Sequence, residues 1–281
     1  SDGDESNIKE LNVVILSTAD YDEKTRTNKQ WMADEYSRLG ADVIYVEPVG
    51  FRLPRLHSLH DLKRIAHRLL KGRKNQQDNE NNGRLRVVRL LAPPILYGAR
   101  GITFMCVAFY SLAVLGAIVR HRNRLRKEIL VIAYHPFVLM GLIRRSIGAR
   151  ARTVYHCVDD LDALPWLSGK QKGVCTGKSV CRAILWQEHN YDLMICTNTR
   201  TARKLYSYGF NKRLYVEPNR ICLTNTSRAK QIEAKDDPSR TRGVACLATF
   251  TDLKVDYDLL ISLVGQCWDI DFILVGRHDS S

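Results

Sequence analysis

The segment NVVILSTADYDEKTRTNKQWMADEYSRLGADVIYVEP, residues 12–48, decides the fold. It opens with a continuous apolar run rich in β-branched residues, 12–16, which predicts a strand buried on both faces. A polar loop then leads to a Thr-x-x-Gln pattern at 27–30, the spacing of a capping box at a helix start. Gly40 is placed to end that helix, and a second apolar run, 42–46, predicts another strand. The pattern predicts one right-handed βαβ unit.

The loop between the first strand and the helix is the first candidate for function, because ligands of such sheets lie beyond the carboxyl ends of the strands. It carries neither the glycine fingerprint of dinucleotide sites nor a Walker motif. Its hydroxyl, amide and cationic groups suit a polyol or a phosphate; the alternative is a solvated loop before a well-capped helix. Lys29, at the helix start, is placed to meet a phosphate unless it is an ordinary solvated lysine. The candidate binding residues are Thr18, Asp20, Thr27, Asn28 and Lys29.

Charge is the unusual part of the composition. The 281 residues carry 43 Lys and Arg against 30 Asp and Glu, a formal net charge of +13. Residues 52–127 hold seventeen of these cations and only three acidic residues. Such a bias attracts phosphate, whether in a nucleotide, an anionic lipid or nucleic acid. The eight cysteines show no zinc-hook spacing and several fall in apolar runs, which indicates a reduced, cytoplasmic setting.

Two stretches inside this basic region bear on the membrane. Residues 56–71 predict an amphipathic helix with Leu on one side and Lys, Arg and His on the other. Residues 101–119 contain no charged side chain and are bracketed by Arg100 and Arg120. Three alternatives stand for them. The foremost is a buried crossover helix of the sheet, and the next is a helix that dips into one leaflet. A spanning helix is the least favoured, because it would divide the continuing βαβ series.

Further apolar runs continue that series and predict an α/β, Rossmann-type first domain of about seven mainly parallel strands. They lie at 85–91, 129–133, 153–158, 192–196 and 214–216. Polar side chains lie at or beyond the ends of most of these runs. Because the carboxyl ends of parallel strands share one edge, these side chains are expected to converge on one crevice. The residues concerned are His135, His156, Asp159, Asp160, Thr197, Asn198, Glu217 and Asn219.

A second α/β unit begins towards the end of the chain. Residues 224–242 are charged and polar and predict a linker. Apolar runs at 243–247 and 272–276 flank a helical pattern, which predicts the start of another Rossmann-type domain. The expected organisation is a first domain at 1–223, the linker, and an incomplete second domain at 243–281.

Five short segments resemble, in the same order, bacterial glycosyltransferases of the GT-B fold, and most closely those that build teichuronic-acid-like and other surface polysaccharides. They are LSTAD at 16–20, TNKQ at 27–30, YVEP at 45–48, YHCVDD at 155–160 and DYDLL at 256–260. The resemblance implies two Rossmann-like domains facing across a cleft, with the acceptor mostly on the first and the nucleotide-sugar donor mostly on the second. It also implies a hexosyltransferase that uses a nucleotide sugar as co-substrate, with no further cofactor and no bound metal.

Two departures from the family pattern lie in the second half. Residues 218–220 read Pro-Asn-Arg where the family usually has Pro-Asn-Gly, which puts the expected tight turn in doubt. Residues 248–250 read Ala-Thr-Phe where a glycine-containing loop usually lies near the donor phosphates. The acidic donor-binding motif of the family would lie beyond Ser281. The expectation is therefore a chain truncated in its donor domain, whose activity by itself is in question.

Sugar transfer needs a developing oxocarbenium ion stabilised and a leaving nucleoside diphosphate neutralised. The candidates for catalysis are Asp159, Asp160 and His156, as a base or as hydrogen-bonding partners of sugar hydroxyls. Ordinary structural roles remain open. One aspartate, and Asn198 as well, suits a helix N-cap, and the histidines at 156 and 135 suit buried, satisfied positions.

Two functions from different classes follow. The first is a glycosyltransferase that moves a sugar to a polysaccharide or lipid-linked acceptor at the membrane surface. Its expected location is cytoplasmic and peripheral, on the inner face of the plasma membrane. The second is a non-catalytic basic module that binds anionic lipid or nucleic acid. Few aromatic residues are interleaved with the basic stretch, so nucleic acid is not the expected partner.

Overall fold

The computed structural model describes residues 8, 11–23, 26–49, 84–90, 100–120, 128–148, 150–159, 187–218, 243–247, 257–267 and 270–275. The chain divides into two compact units, Ser1–Arg220 and Ile221–Ser281. The basic helix predicted at 56–71 and the linker predicted at 224–242 lie outside the described residues. The same holds for two candidate site residues, Asp160 and Asn219. The sequence around 179–188 also predicts a helix, and of these residues only 187 and 188 are described.

The first unit is built on a seven-stranded sheet in which every pairing is parallel. The strands are β1 (Leu11–Leu16), β2 (Asp42–Val46), β3 (Leu85–Val88), β4 (Glu128–Ala133), β5 (Ala151–Cys157), β6 (Leu193–Cys196) and β7 (Leu214–Val216). Their order across the sheet is β3-β2-β1-β4-β5-β6-β7. The predicted α/β class and the seven parallel strands are confirmed, and the order is that of a Rossmann-type sheet.

Helices cover both faces of this sheet. They are α1 (Asn28–Arg38), α2 (Arg100–Arg120), α3 (Met140–Ile147) and α4 (Thr199–Ser207), with a 3-10 turn at Glu188–Asn190. Side chains of β1 alternate between two buried clusters: Val14 and Leu16 join the one that includes α2, α3 and α4, and Val13 and Ile15 join the one that includes α1. A strand buried on both faces has no polar side to show, which explains the continuous apolar run in the sequence.

The start and end of α1 follow the sequence signals. The side-chain Oε1 of Gln30 accepts hydrogen bonds from the backbone N–H of Thr27 at 2.8 Å and from its hydroxyl at 2.6 Å, which completes the predicted capping box. Gly40 follows the helix with φ of 97°, a left-handed conformation that side chains other than glycine adopt at a cost. In this βαβ unit, β1 and β2 pair in the register that places Ile15 beside Tyr45.

Helix α2 is the crossover from β3 to β4, as the foremost of the three alternatives predicts. Its stripe of Cys106, Tyr110, Val114 and Ile118 is buried in the core. The opposite face is apolar but exposed. Within the part of the chain that is described, no helix has both the length and the hydrophobicity to cross a bilayer.

The second unit contains one βαβ repeat among its described residues. Strand β8 (Gly243–Leu247), helix α5 (Tyr257–Gln266) and strand β9 (Asp271–Val275) follow in order. The two strands are parallel, with Gly243 beside Asp271. A parallel pair joined through a helix is the element from which Rossmann-type domains are repeated.

Candidate functional site

The strand order creates one topological switch point, between β1 and β4. The chain runs outward from β1 through β2 to β3, and α2 then carries it back to β4 on the other side. The loops after β1 and β4 therefore diverge and leave a crevice at the carboxyl edge of the sheet. Ligands of open α/β sheets bind at this position. The candidate site is thus the group of side chains that follow β1, β4 and the neighbouring β5.

The loop after β1 is held by hydrogen bonds to the next strand and to α1. The hydroxyls of Ser17 and Tyr45 lie 2.6 Å apart, and Tyr45 donates to the carbonyl of Ala19 at 2.8 Å. The side-chain amide of Gln30 donates to the carbonyl of Asp20 at 3.0 Å. The two candidate binding residues in this loop, Thr18 and Asp20, are half-buried. The first part of the loop is therefore held in place by the fold, whereas Asp22, Glu23 and Arg26 are exposed; whether the loop binds a ligand stays a prediction.

A buried carboxylate supports the same loop from β2. Glu47 is 6 % exposed and accepts from the backbone N–H of Tyr21 at 3.0 Å. Its other oxygen accepts from Arg89, at the end of β3, at 2.8 Å. Arg89 also pairs with Asp22 at 2.8 Å, so one guanidinium joins two strand ends to the loop. Sequence reasoning missed this network, although an acid and a cation at the ends of two adjacent strands were a signal for it.

Lys29 lies in the crevice with most of its side chain out of water. It is the second residue of α1, and only 6 % of it is exposed. Its ammonium nitrogen lies 5.5 Å from the centre of the Tyr134 ring, a cation–π contact. It makes no hydrogen bond or ion pair with another described residue. Burial lowers the pKa of Lys29, and the negative charges of Asp159 and Glu23 only partly oppose that effect. The alternative of a solvated lysine is wrong.

His135 follows β4, and both of its ring nitrogens contact other groups of the protein. Its Nδ1 accepts from the backbone N–H of Phe137 at 3.2 Å, so the ring proton belongs on Nε2. That nitrogen lies 3.2 Å from the hydroxyl of Tyr110 in α2. Burial lowers its pKa from 6.5 to about 3, with a smaller contribution from the charge of Lys29. The ring is neutral at physiological pH, and these contacts suit a structural role.

His156 differs from His135 in how its ring is satisfied. It is 6 % exposed, and its Nε2 is buried without a hydrogen-bond partner among the described residues. Its ring packs on that of Tyr134 with 5.0 Å between the centres. Burial, and secondarily the charge of Lys29, lowers its pKa to about 4. The Tyr134 ring thus contacts both the Lys29 ammonium and the His156 ring, whose Nε2 has no partner among the described residues.

Asp159 is exposed just beyond β5. Its charge acts on Lys29, which brings one carboxylate, one buried cation and one neutral histidine into the same crevice. Such a set can hold sugar hydroxyls, accept a proton and meet an anion. Among the described residues, no group of three or more His, Cys, Asp or Glu side chains is arranged to hold a metal ion.

The candidates beyond β6 and β7 are engaged differently. The Thr197 hydroxyl donates to the carbonyl of Val158 at 3.1 Å, linking the ends of β5 and β6. The Asn198 side chain accepts from the backbone N–H of Thr201 at 2.8 Å, so its capping role is confirmed. Glu217 is exposed just beyond β7. In the first loop region, Thr27 completes the helix cap described above, and Asn28 beside it is half-buried.

Comparisons with known proteins add little to this picture. No protein-family model and no curated protein sequence matches the chain. Among solved structures, it is similar to the crystal structure of a UGT transferase from Siraitia grosvenorii in complex with UDP. The TM-score is 0.40 and the sequence identity 7 %, over 95 % of this chain and 73 % of that one. At that score the likeness carries no argument about what this chain binds or does.

Proposed function

We propose that this chain belongs to a glycosyltransferase of the GT-B type, which moves a sugar from a nucleotide-sugar donor to a glycan or lipid-linked acceptor. The observation that carries the proposal is the crevice at the switch point of the first sheet, where Asp159, Lys29 and His156 meet. Four of the five segments that resemble the family lie at the carboxyl edge of this sheet. The acceptor is expected there, and the donor on the second unit.

In this proposal Asp159 and Asp160 are the candidates for the base that takes the proton of the attacking hydroxyl. His156 has a different part. A group with a pKa of about 4 is a weak base at neutral pH, so the ring serves as a neutral hydrogen-bonding partner beside the reacting centre. The chemistry proposed here uses protein groups and the nucleotide sugar only.

The test of transfer uses the complete gene product with a panel of radiolabelled nucleotide sugars and membrane lipid or glycan extracts. Removal of a general base typically costs 10²–10⁴-fold, so Asp159→Asn should lose at least about a hundredfold in rate. Asp42→Asn is the matched control, because Asp42 opens β2 at the opposite edge of the same sheet. If wild type and Asp159→Asn turn over alike, Asp159 is not the base. If no donor is consumed with any acceptor, the transferase assignment fails.

We further propose that the enzyme works on the cytoplasmic surface of an anionic membrane. The support is the exposed face of α2, which is apolar and lies between Arg100 and Arg120. Its residues, each more than half exposed, are Phe104, Met105, Phe109, Leu112 and Val119. Burial of an apolar helix face together with arginines near anionic headgroups, each worth about 1 kcal/mol, is enough for reversible attachment.

Co-sedimentation with vesicles of graded anionic lipid content tests the attachment. Wild type should bind more as the anionic fraction rises, and less in high salt. The double variant Phe109→Asp, Leu112→Asp should release it, whereas Ile261→Asp, an exposed apolar position on α5, should not. Binding that the double variant retains would exclude this face of α2 as the point of attachment. An absence of binding at any lipid composition would overturn the proposal.

A further inference from the structure

The crevice contains a buried polar atom without a hydrogen-bond partner among the described residues, Nε2 of His156, and close to it the largely buried side chain of Lys29. Lys29 and His156 are each 6 % exposed, and neither the ammonium of the first nor Nε2 of the second is hydrogen-bonded to another described residue. Buried polar groups in folded proteins are almost always paired, because an unpaired one has lost its water without compensation. The Lys29 ammonium and the His156 ring both contact the Tyr134 ring, so a cation and an unpaired imidazole nitrogen share one part of the crevice, which indicates a place for a ligand.

The sign of the charge identifies the class of ligand. A buried ammonium needs a negative partner, and the nearest described carboxylates leave it with a lowered pKa, so they do not compensate its burial. Lys29 also sits in the first turn of α1, an 11-residue helix with no acidic residue in that turn. The positive end of the helix therefore lacks a counter-charge of its own. An anion in the crevice would supply a partner to the ammonium, to a proton on His156 Nε2 and to the helix end.

We propose that Lys29 and His156 bind an anionic group, a phosphate or a carboxylate, carried by the acceptor. Assigning the anion to the acceptor rests on the proposed transferase function; the anion site itself does not. A phosphate would come from a lipid-linked acceptor and a carboxylate from an acidic sugar. Both present oxygens that accept charge-assisted hydrogen bonds from an ammonium. The enzyme would thereby discriminate against neutral acceptors, since these leave the buried charge unpaired.

Calorimetric titration of the full chain at about pH 7 tests the anion site. The probes are inorganic phosphate, methyl glucuronide and the neutral methyl glucoside. We expect at least one of the two anions to bind and the glucoside not to. Lys29→Met should weaken anion binding at least about tenfold, and Lys29→Arg should retain part of it. Arg200→Met is the matched control: Arg200 is likewise the second residue of a helix, α4, but it is exposed, so binding should not change.

The pH dependence of anion affinity distinguishes binding through the charge of Lys29 from binding through packing alone. Because the pKa of Lys29 is lowered, the ammonium loses its proton at lower pH than an ordinary lysine, so anion affinity should fall as pH rises from about 7 to 10. Lys29→Met should show no such fall. His156→Gln provides a second variant that leaves the cation in place, and it should weaken binding less than Lys29→Met. Failure of both anions to bind wild type, or equal binding to Lys29→Met, would overturn the anion site.

Transfer assays then distinguish this inference from the function on which it rests. With acidic and neutral acceptors compared in the complete gene product, kcat/KM should favour the acidic acceptor, and Lys29→Met should remove that preference mainly through KM. Equal use of both acceptors by wild type would refute the assignment of the anion to the acceptor but would not contradict the transferase function. Anion binding that depends on Lys29 without any transfer would keep the site and reject the transferase.

Discussion

Replacing Lys29 by Met should make the protein more stable. The substitution keeps the length of the side chain and removes a charge that is buried without a hydrogen-bonded counter-ion among the described residues. Exchanging a buried ion pair for apolar groups of similar volume is often neutral or gains up to about 4 kcal/mol, and we expect a gain in the same range for a largely buried cation without an ion pair. The lost cation–π contact with Tyr134 offsets about 0.5–2 kcal/mol of this. A net gain of about 1–2 kcal/mol remains, which is about 2–8 °C in melting temperature for a unit of this size.

The measurement is a urea and thermal unfolding series of wild type, Lys29→Met and the control Arg200→Met. The pH supplies a second check. The folded pKa of Lys29 lies below the ordinary 10.5, so between those two values the unfolded chain holds more protons and wild-type stability rises with pH. The advantage of Lys29→Met should therefore be largest below the folded pKa and shrink as pH approaches 10.5. Tyrosine ionisation is common to both proteins and cancels in the difference.

A Lys29→Met variant that is less stable than wild type at about pH 7 would refute this reasoning. It would mean that the ammonium has a strong partner in the folded protein, which would contradict the proposed anion site. An advantage that persists unchanged up to pH 10.5 would equally contradict the electrostatic cause, because packing alone would then explain it.

Three further outcomes are expected. The free energy of unfolding should fall as pH drops from about 6.5 to 4, because His135 and His156 bind protons in the unfolded chain but resist them when folded. In urea unfolding at several pH values, the free energy of unfolding should depend less steeply on pH for His156→Gln than for wild type. An unchanged pH dependence would contradict the lowered pKa of His156. Tyr45→Phe should cost about 1–2 kcal/mol through the lost bonds to Ser17 and Ala19, with faster hydrogen exchange in that loop as the diagnostic signal. Asn198→Ala should cost about 1 kcal/mol of unfolding free energy and Asn198→Asp almost none; equal losses would exclude capping as the cause.

The strands could be predicted from the sequence because burial on both faces of a parallel sheet leaves a continuous apolar signal. The run at 12–16 predicted β1 to within one residue at its start. The capping box at 27–30 likewise predicted where α1 begins. The short helix α3 was missed: its eight residues begin without a side-chain cap, and Gly141 sits inside it. A Cβ added at Gly141 would lie 2.9 Å from Oδ1 of Asn190, a tertiary contact that the local sequence pattern does not show.

The candidate site was predictable in position but not in its contacts. The rule that ligands lie beyond the carboxyl ends of strands named Lys29, His156 and Asp159, each of which borders the crevice. The same rule named Asn198 equally strongly, and there the side chain caps a helix. Whether a polar side chain has a structural role or is available to a ligand depends on partners distant in sequence. The support of the first loop by Glu47 and Arg89, 42 positions apart, shows the same limit.

The two buried histidines differ in whether the protein pairs their ring nitrogens. Both lie at the ends of adjacent strands, both are buried, and burial keeps both neutral. For His135 the chain supplies a donor to one ring nitrogen and a hydroxyl beside the other. For His156 the Nε2 atom has no partner in the described structure, and a buried polar atom without a partner lowers the stability of the fold. The largely buried Lys29 contacts the same Tyr134 ring, and an anion that reaches both side chains would pair the cation and the unpartnered nitrogen and so stabilise the fold.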